Sequence, residues 1–207
     1  MLAERIKRRR GQRGVTLVEL SVYVLMLGIV TTIAFRLLIS MTTATQKADV
    51  TSQSIDQARL AVQQIDRQVR SGNVLYDPTL ESDAANDIRP GLSLRVYTQA
   101  NGDQRCVQWR ITSAGVLQTR SWSEFWSTDG DVSAWRIVAT NLVNTSATPA
   151  FALDSTTGFG SRLLKVTLIA NVNSKRGKDV RFTSSIAGRN TEYGYNPFIC
   201  NSIPPYS

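Results

Sequence analysis

Residues 15–35 form an apolar run broken by a single acid, Glu19, and preceded by a strongly basic stretch. Residues 20–35 are sixteen consecutive uncharged, mainly apolar positions, and the whole run covers twenty-one. As a helix rising ~1.5 Å per residue, this run spans roughly 30 Å, the thickness of a bilayer hydrocarbon core. Arg5, Lys7, Arg8, Arg9, Arg10 and Arg13 crowd the first fourteen residues against one acid, Glu4. That asymmetry predicts a cytoplasmic amino terminus and an outward-facing carboxyl-terminal body.

A basic start and an apolar run also describe a cleaved secretory signal or an uncleaved single-pass anchor. A secretory signal has a shorter apolar region and no early carboxylate, and the only small-residue cleavage pattern here is a weak one, Thr42-x-Ala44. Glu19 separates the cases. A carboxylate inside an apolar span costs about 2.5–3.5 kcal/mol on insertion scales, which marks it as a functional residue.

The junction Arg13-Gly14 followed by Val15-Thr16-Leu17-Val18-Glu19-Leu20 resembles the signal of type IV prepilins and type II secretion pseudopilins. The resemblance implies cleavage after Gly14 by prepilin peptidase, a membrane aspartyl protease, and N-methylation of the new amino terminus, Val15. It implies that Glu19, the fifth mature residue, pairs with the amino terminus of a neighbouring subunit during filament assembly. Val15 departs from the Phe or Met most common there. The chemistry is consistent with these roles. Glycine puts no side chain at the scissile bond, cleavage creates an α-amino cation with a reference pKa of ~7.7–8, and a buried carboxylate left unpaired is costly.

The whole chain has 24 basic and 16 acidic residues, but removing the leader leaves 18 against 15. Most of the basicity is therefore topogenic and gives little support to a nucleic-acid surface. Nucleic acid is not an expected partner, although composition alone leaves it open. The absence of histidine removes His triads and His metal sites. No cofactor is expected, and no carboxylate or Ser-Lys spacing singles out an enzyme. Cys106 and Cys200 make no CxxC pair. Two separate buried thiols are one reading; an oxidising extracytoplasmic compartment favours a disulfide, worth roughly 4–5 kcal/mol for so long a loop.

Beyond a Ser/Thr-rich stretch at 40–54, Ile55, Ala58, Val62, Ile65 and Val69 recur at helical spacing, and Ser71-Gly72-Asn73 gives a stop. A helix over 15–70 would be ~85 Å long. An irregular loop is expected next, then strands at 92–97, 105–111, 116–122, 135–139, 164–172 and 180–184, with turns at 113–115 and 174–178. The expected fold is α+β: a long N-terminal helix packed on an antiparallel β-sheet body, the lollipop shape the pilin resemblance implies. The expected divisions are a cleaved leader at 1–14, a transmembrane or filament-core helix at 15–36, an amphipathic continuation at 37–71 and an extracytoplasmic β-rich body at 72–207. Element order resembles the larger minor subunits, J-type in type II secretion and W-type in type IV pili.

Asp77, Glu81, Asp83 and Asp87, and the turn Asp129-Gly130-Asp131, match no calcium-loop spacing and read as solvated loop acids. The stretch at 122–126 reads as a candidate for exposed aromatic contacts. The expected function is a minor pilin or pseudopilin, a structural filament subunit first held in the cytoplasmic membrane and then built into a cell-surface or periplasmic filament. Its implied partners are prepilin peptidase, other major and minor pilins or pseudopilins, an inner-membrane assembly platform and, before assembly, membrane lipid. The alternative is a membrane-anchored extracytoplasmic adhesin or DNA-uptake receptor that binds through its β body.

Overall fold

The computed structural model describes residues 14–100, 102–154, 162–171, 179–188 and 195–205. The basic leader through Arg13, the turn at 174–178 and the dipeptide Arg189-Asn190 lie outside these residues. The chain divides into two units, one ending at Ala48 and the other beginning at Asp49. Helix α1, Leu17–Arg70, contributes to both.

In the first unit every described residue is exposed. The large apolar side chains of residues 17–41 stand 50–85% exposed, so nothing among the described residues covers this helix. Its length and composition suffice to cross a membrane. The hydroxyls along it are satisfied internally: Thr31 donates to the Leu27 carbonyl (2.6 Å), Thr32 to that of Gly28 (2.8 Å), and Thr45 to that of Met41 (2.6 Å). The Ser/Thr-rich stretch at 40–54 is helical despite its modest propensity, with Thr42, Thr43 and Thr45 also bonding back to helix carbonyls.

In the second unit the helix buries Ser54, Ala58, Ala61, Ile65, Gln68 and Val69. The buried stripe is therefore rotated from the expected one, with Ile55 and Val62 only half-buried. Small side chains at 54, 58 and 61 bring the helix backbone close to the sheet. Gln68 is accommodated because its Oε1 accepts from Trp109 Nε1 at 2.7 Å and its carbonyl from Thr98 Oγ1 at 2.9 Å.

The strands are β1 (Gly72–Leu75), β2 (Ser93–Thr98), β3 (Arg105–Ile111), β4 (Leu117–Trp122), β5 (Arg136–Ala139), β6 (Phe151–Asp154), β7 (Leu163–Ala170) and β8 (Val180–Ala187). A short helix α2, Trp126–Asp129, precedes β5. Strands β1 to β5 form one antiparallel sheet in chain order, and β6-β7-β8 form a second. The α+β architecture of a long N-terminal helix followed by an antiparallel body is as expected. Strand β1 occupies the start of the expected irregular loop, which otherwise runs over 76–92 with one short 3₁₀ turn, and β6 and α2 are additions. At the β3–β4 turn Gly115 takes φ +72°, and a Cβ there would lie 2.2 Å from the Leu142 carbonyl oxygen.

Alternation divides the larger sheet into two buried faces. Leu94, Val96, Val107, Trp109, Ile111 and Leu117 join the helix stripe and the second sheet in the main core. On the back face the register sets Tyr97, Cys106 and Trp122 in one cross-strand row and Arg95, Gln108 and Arg120 in the next. Cys106 and Cys200 are joined by a disulfide with Cα atoms 5.7 Å apart, and Tyr97 and Trp122 pack around it. Trp122 is fully buried, contrary to its reading as part of an exposed surface.

Arg95 and Glu81 make a buried ion pair at 2.7 Å, with the guanidinium 4.2 Å over the Tyr76 ring. Burial pushes the Glu81 carboxyl above its ordinary value of 4.5, and the charge and hydrogen bond of Arg95 oppose that rise. A raised folded-state pKa means that the stability lent by the protonated acid is full below about 4.5 and is lost as pH rises through the raised value. Arg95→Met is expected to cost about 3–5 kcal/mol at neutral pH, because it strands the carboxylate. That loss should shrink in acid, and adding Glu81→Gln should restore most of it at pH 7. Denaturation followed by tryptophan fluorescence at pH 4 and pH 7 checks this; equal losses at both would contradict it.

Candidate functional site at the helix N-terminus

Gly14, Val15 and Thr16 lie outside regular secondary structure and are exposed, immediately before α1. No neighbouring atom comes within 4 Å of the place where a Gly14 side chain would begin. The Gly14–Val15 bond thus sits in open, non-helical chain, the condition a protease needs to lay a backbone along its cleft.

The helix starts where it does because Thr16 caps it. Thr16 Oγ1 accepts the Glu19 N–H at 3.2 Å, and its carbonyl accepts the Leu20 N–H at 3.0 Å. Thr16-Leu17-Val18-Glu19 has the S/T-x-x-E spacing of a capping box. That spacing was the available signal for Thr16, a residue that the cleavage motif alone does not single out. Glu19 occupies the first helical turn, where a negative charge meets the positive end of the helix dipole.

Among the described residues the hydrogen-bond donor to the Glu19 carboxylate is the Tyr23 hydroxyl, one turn on, at a long 3.5 Å. Glu19 is the single charged residue between 14 and 35. The junction therefore brings together an accessible peptide bond, a capped helix start and one exposed carboxylate on an apolar rod.

The loop acids act differently from their reading as solvated side chains. Asp77 accepts from Thr79, Asp83 caps a short 3₁₀ turn at Ala84–Asn86, Asp87 accepts from the Ser113 amide and Glu81 is buried against Arg95. In the second acidic turn, Asp131 is bound in two bonds by Arg105, which holds its carboxyl below the usual range. Among the described residues no group of three or more His, Cys, Asp or Glu is placed to hold a metal ion.

A family model described as the prokaryotic N-terminal methylation motif matches residues 9–35. The match covers the junction and the apolar helix and stops short of the body. Neither the curated proteins nor the solved structures give a match.

Thr16→Ala is expected to weaken the helix start by about 1 kcal/mol, whereas Thr16→Ser should preserve it. Amide exchange at residues 19–20 in detergent micelles reads this directly. Faster exchange in the alanine variant alone is the expected outcome, and equal exchange in both would contradict the cap.

Proposed function

We propose that the chain is a precursor subunit of a type IV pilus-like or type II secretion-like filament, cut by prepilin peptidase between Gly14 and Val15. The observation that carries this reading is the methylation-motif match over residues 9–35. It falls on an exposed, non-helical Gly14–Val15 bond followed by a capped helix with one carboxylate. Within that class we assign the chain to the minor subunits, nearest the J-type pseudopilins and W-type minor pilins, with a structural rather than enzymatic role.

The steps follow from charge and solvent. The basic leader keeps the amino terminus in the cytoplasm while the apolar helix enters lipid, leaving the body outside. Cleavage removes the leader charge and exposes the α-amino group of Val15, one residue before the Thr16 cap. N-methylation of Val15 keeps the nitrogen cationic. Glu19 then pays an insertion cost until it meets a positive charge. The amino terminus of an adjacent subunit supplies that charge at a fixed axial offset, so the ion pair sets register as well as affinity. The assembly platform and the other subunits are the partners in this step, with membrane lipid as the medium left behind.

Glu19→Ala should be processed normally, because the cut lies outside the helix, yet its recovery in sheared filaments should fall about tenfold or more. Glu19→Gln should follow it, since the amide keeps the shape but loses the charge. Incorporation of either variant at the unsubstituted level would sink the assigned role.

A further inference from the structure

From Cys200 onward the tail carbonyls find their partners in Arg95 and Arg120 on the sheet and in Trp126 of α2, rather than in a ladder of their own. The carbonyls of Cys200, Ser202, Pro204 and Pro205 accept from Arg95 Nη1 (2.7 Å), Trp126 Nε1 (2.9 Å), Arg120 Nη2 (3.2 Å) and Arg120 Nη1 (3.4 Å). The Cys200 amide donates to the Tyr76 hydroxyl at 3.0 Å. All of these contacts read backbone atoms, so they specify an extended main chain rather than a side-chain sequence.

The two arginine donors also have partners outside the tail. Arg120 is bonded through Nε and Nη2 to Gln108 Oε1 and stacks 4.7 Å from the Trp135 ring centre. Arg95 is fixed by Glu81 and Tyr76. The ligand is also stiffened in advance: Pro204-Pro205 fixes two backbone angles and holds Ile203 extended, which lowers the entropy lost on docking. Beyond Cys200 the described tail is held to the sheet by these non-covalent contacts.

We propose that the back face of the five-stranded sheet is a docking site for an extended, proline-containing peptide main chain. In this protein the site is filled by the chain's own tail, and its contacts bring Cys200 to Cys106 before the disulfide closes. Thiol–disulfide exchange measures such docking as an effective concentration. The Cys106 and Cys200 thiols are oxidised to one disulfide while one glutathione disulfide is reduced to two glutathione thiols.

The full chain in detergent is equilibrated with a glutathione buffer, and the ratio of closed to open chain is read after thiol trapping. Trp126→Phe, which removes one N–H from a half-buried ring, should lower the ratio about three- to tenfold, and Arg120→Met by at least as much. Arg136→Met, on β5 and bonded to Gln64, serves as the control and should leave it unchanged. A ratio within about twofold of the unsubstituted chain for Trp126→Phe would overturn the proposal. So would an equal fall for Arg136→Met, which would mark a general loss of stability.

Discussion

A carboxylate set three residues into an apolar helix has to be matched by positive charge, and the N-terminal half of this protein is organised around that demand. Glu19 is partly accommodated within its own chain. The helix dipole and the Tyr23 hydroxyl favour a negative charge at that place, whereas the Thr16 cap serves only the Glu19 backbone N–H. None of them carries a full positive charge. The surrounding helix is covered by nothing among the described residues and hides its hydroxyls in its own hydrogen bonds. Its apolar surface needs lipid or other helices, and its one acid needs a cation. In the proposed assembly both needs would be met together, when the helix leaves the bilayer for a bundle of related helices.

The body is closed by different means. Its core draws on the helix from residue 54 onward. One face of the larger sheet packs against small helix residues and a satisfied Gln68. The other is covered by the tail, through one disulfide and a set of arginines held by aromatic rings and by Glu81 or Gln108.

The parts legible in the sequence were those with a long period or a fixed spacing. Alternation found β2, β3, β4, β7 and β8, because each runs for six residues or more with one apolar face. The Gly14-to-Glu19 spacing located the junction. Strand β5, only four residues long, was read from its Trp-led run at 135–139, whereas β1 and β6, equally short, have no such lead. The helix stripe was rotated because a purely apolar pattern selects Ile55 and Val62 and passes over Ser54 and Gln68. In the fold, small size and a hydrogen bond from Trp109 outweigh their polarity. The loop acids looked solvated because their partners, Arg95 and the amides of turns, are brought to them only by the tertiary structure. Thr16 was missed as a cap, although its capping-box spacing to Glu19 was available in a different motif from the one that marks the cut.

The intact mass of the protein recovered from membranes or filaments tests the central claim most directly. The mature chain should begin at Val15 and carry one added methyl group at its amino terminus. A chain that still begins at Met1, or one that begins near Thr45, would contradict it.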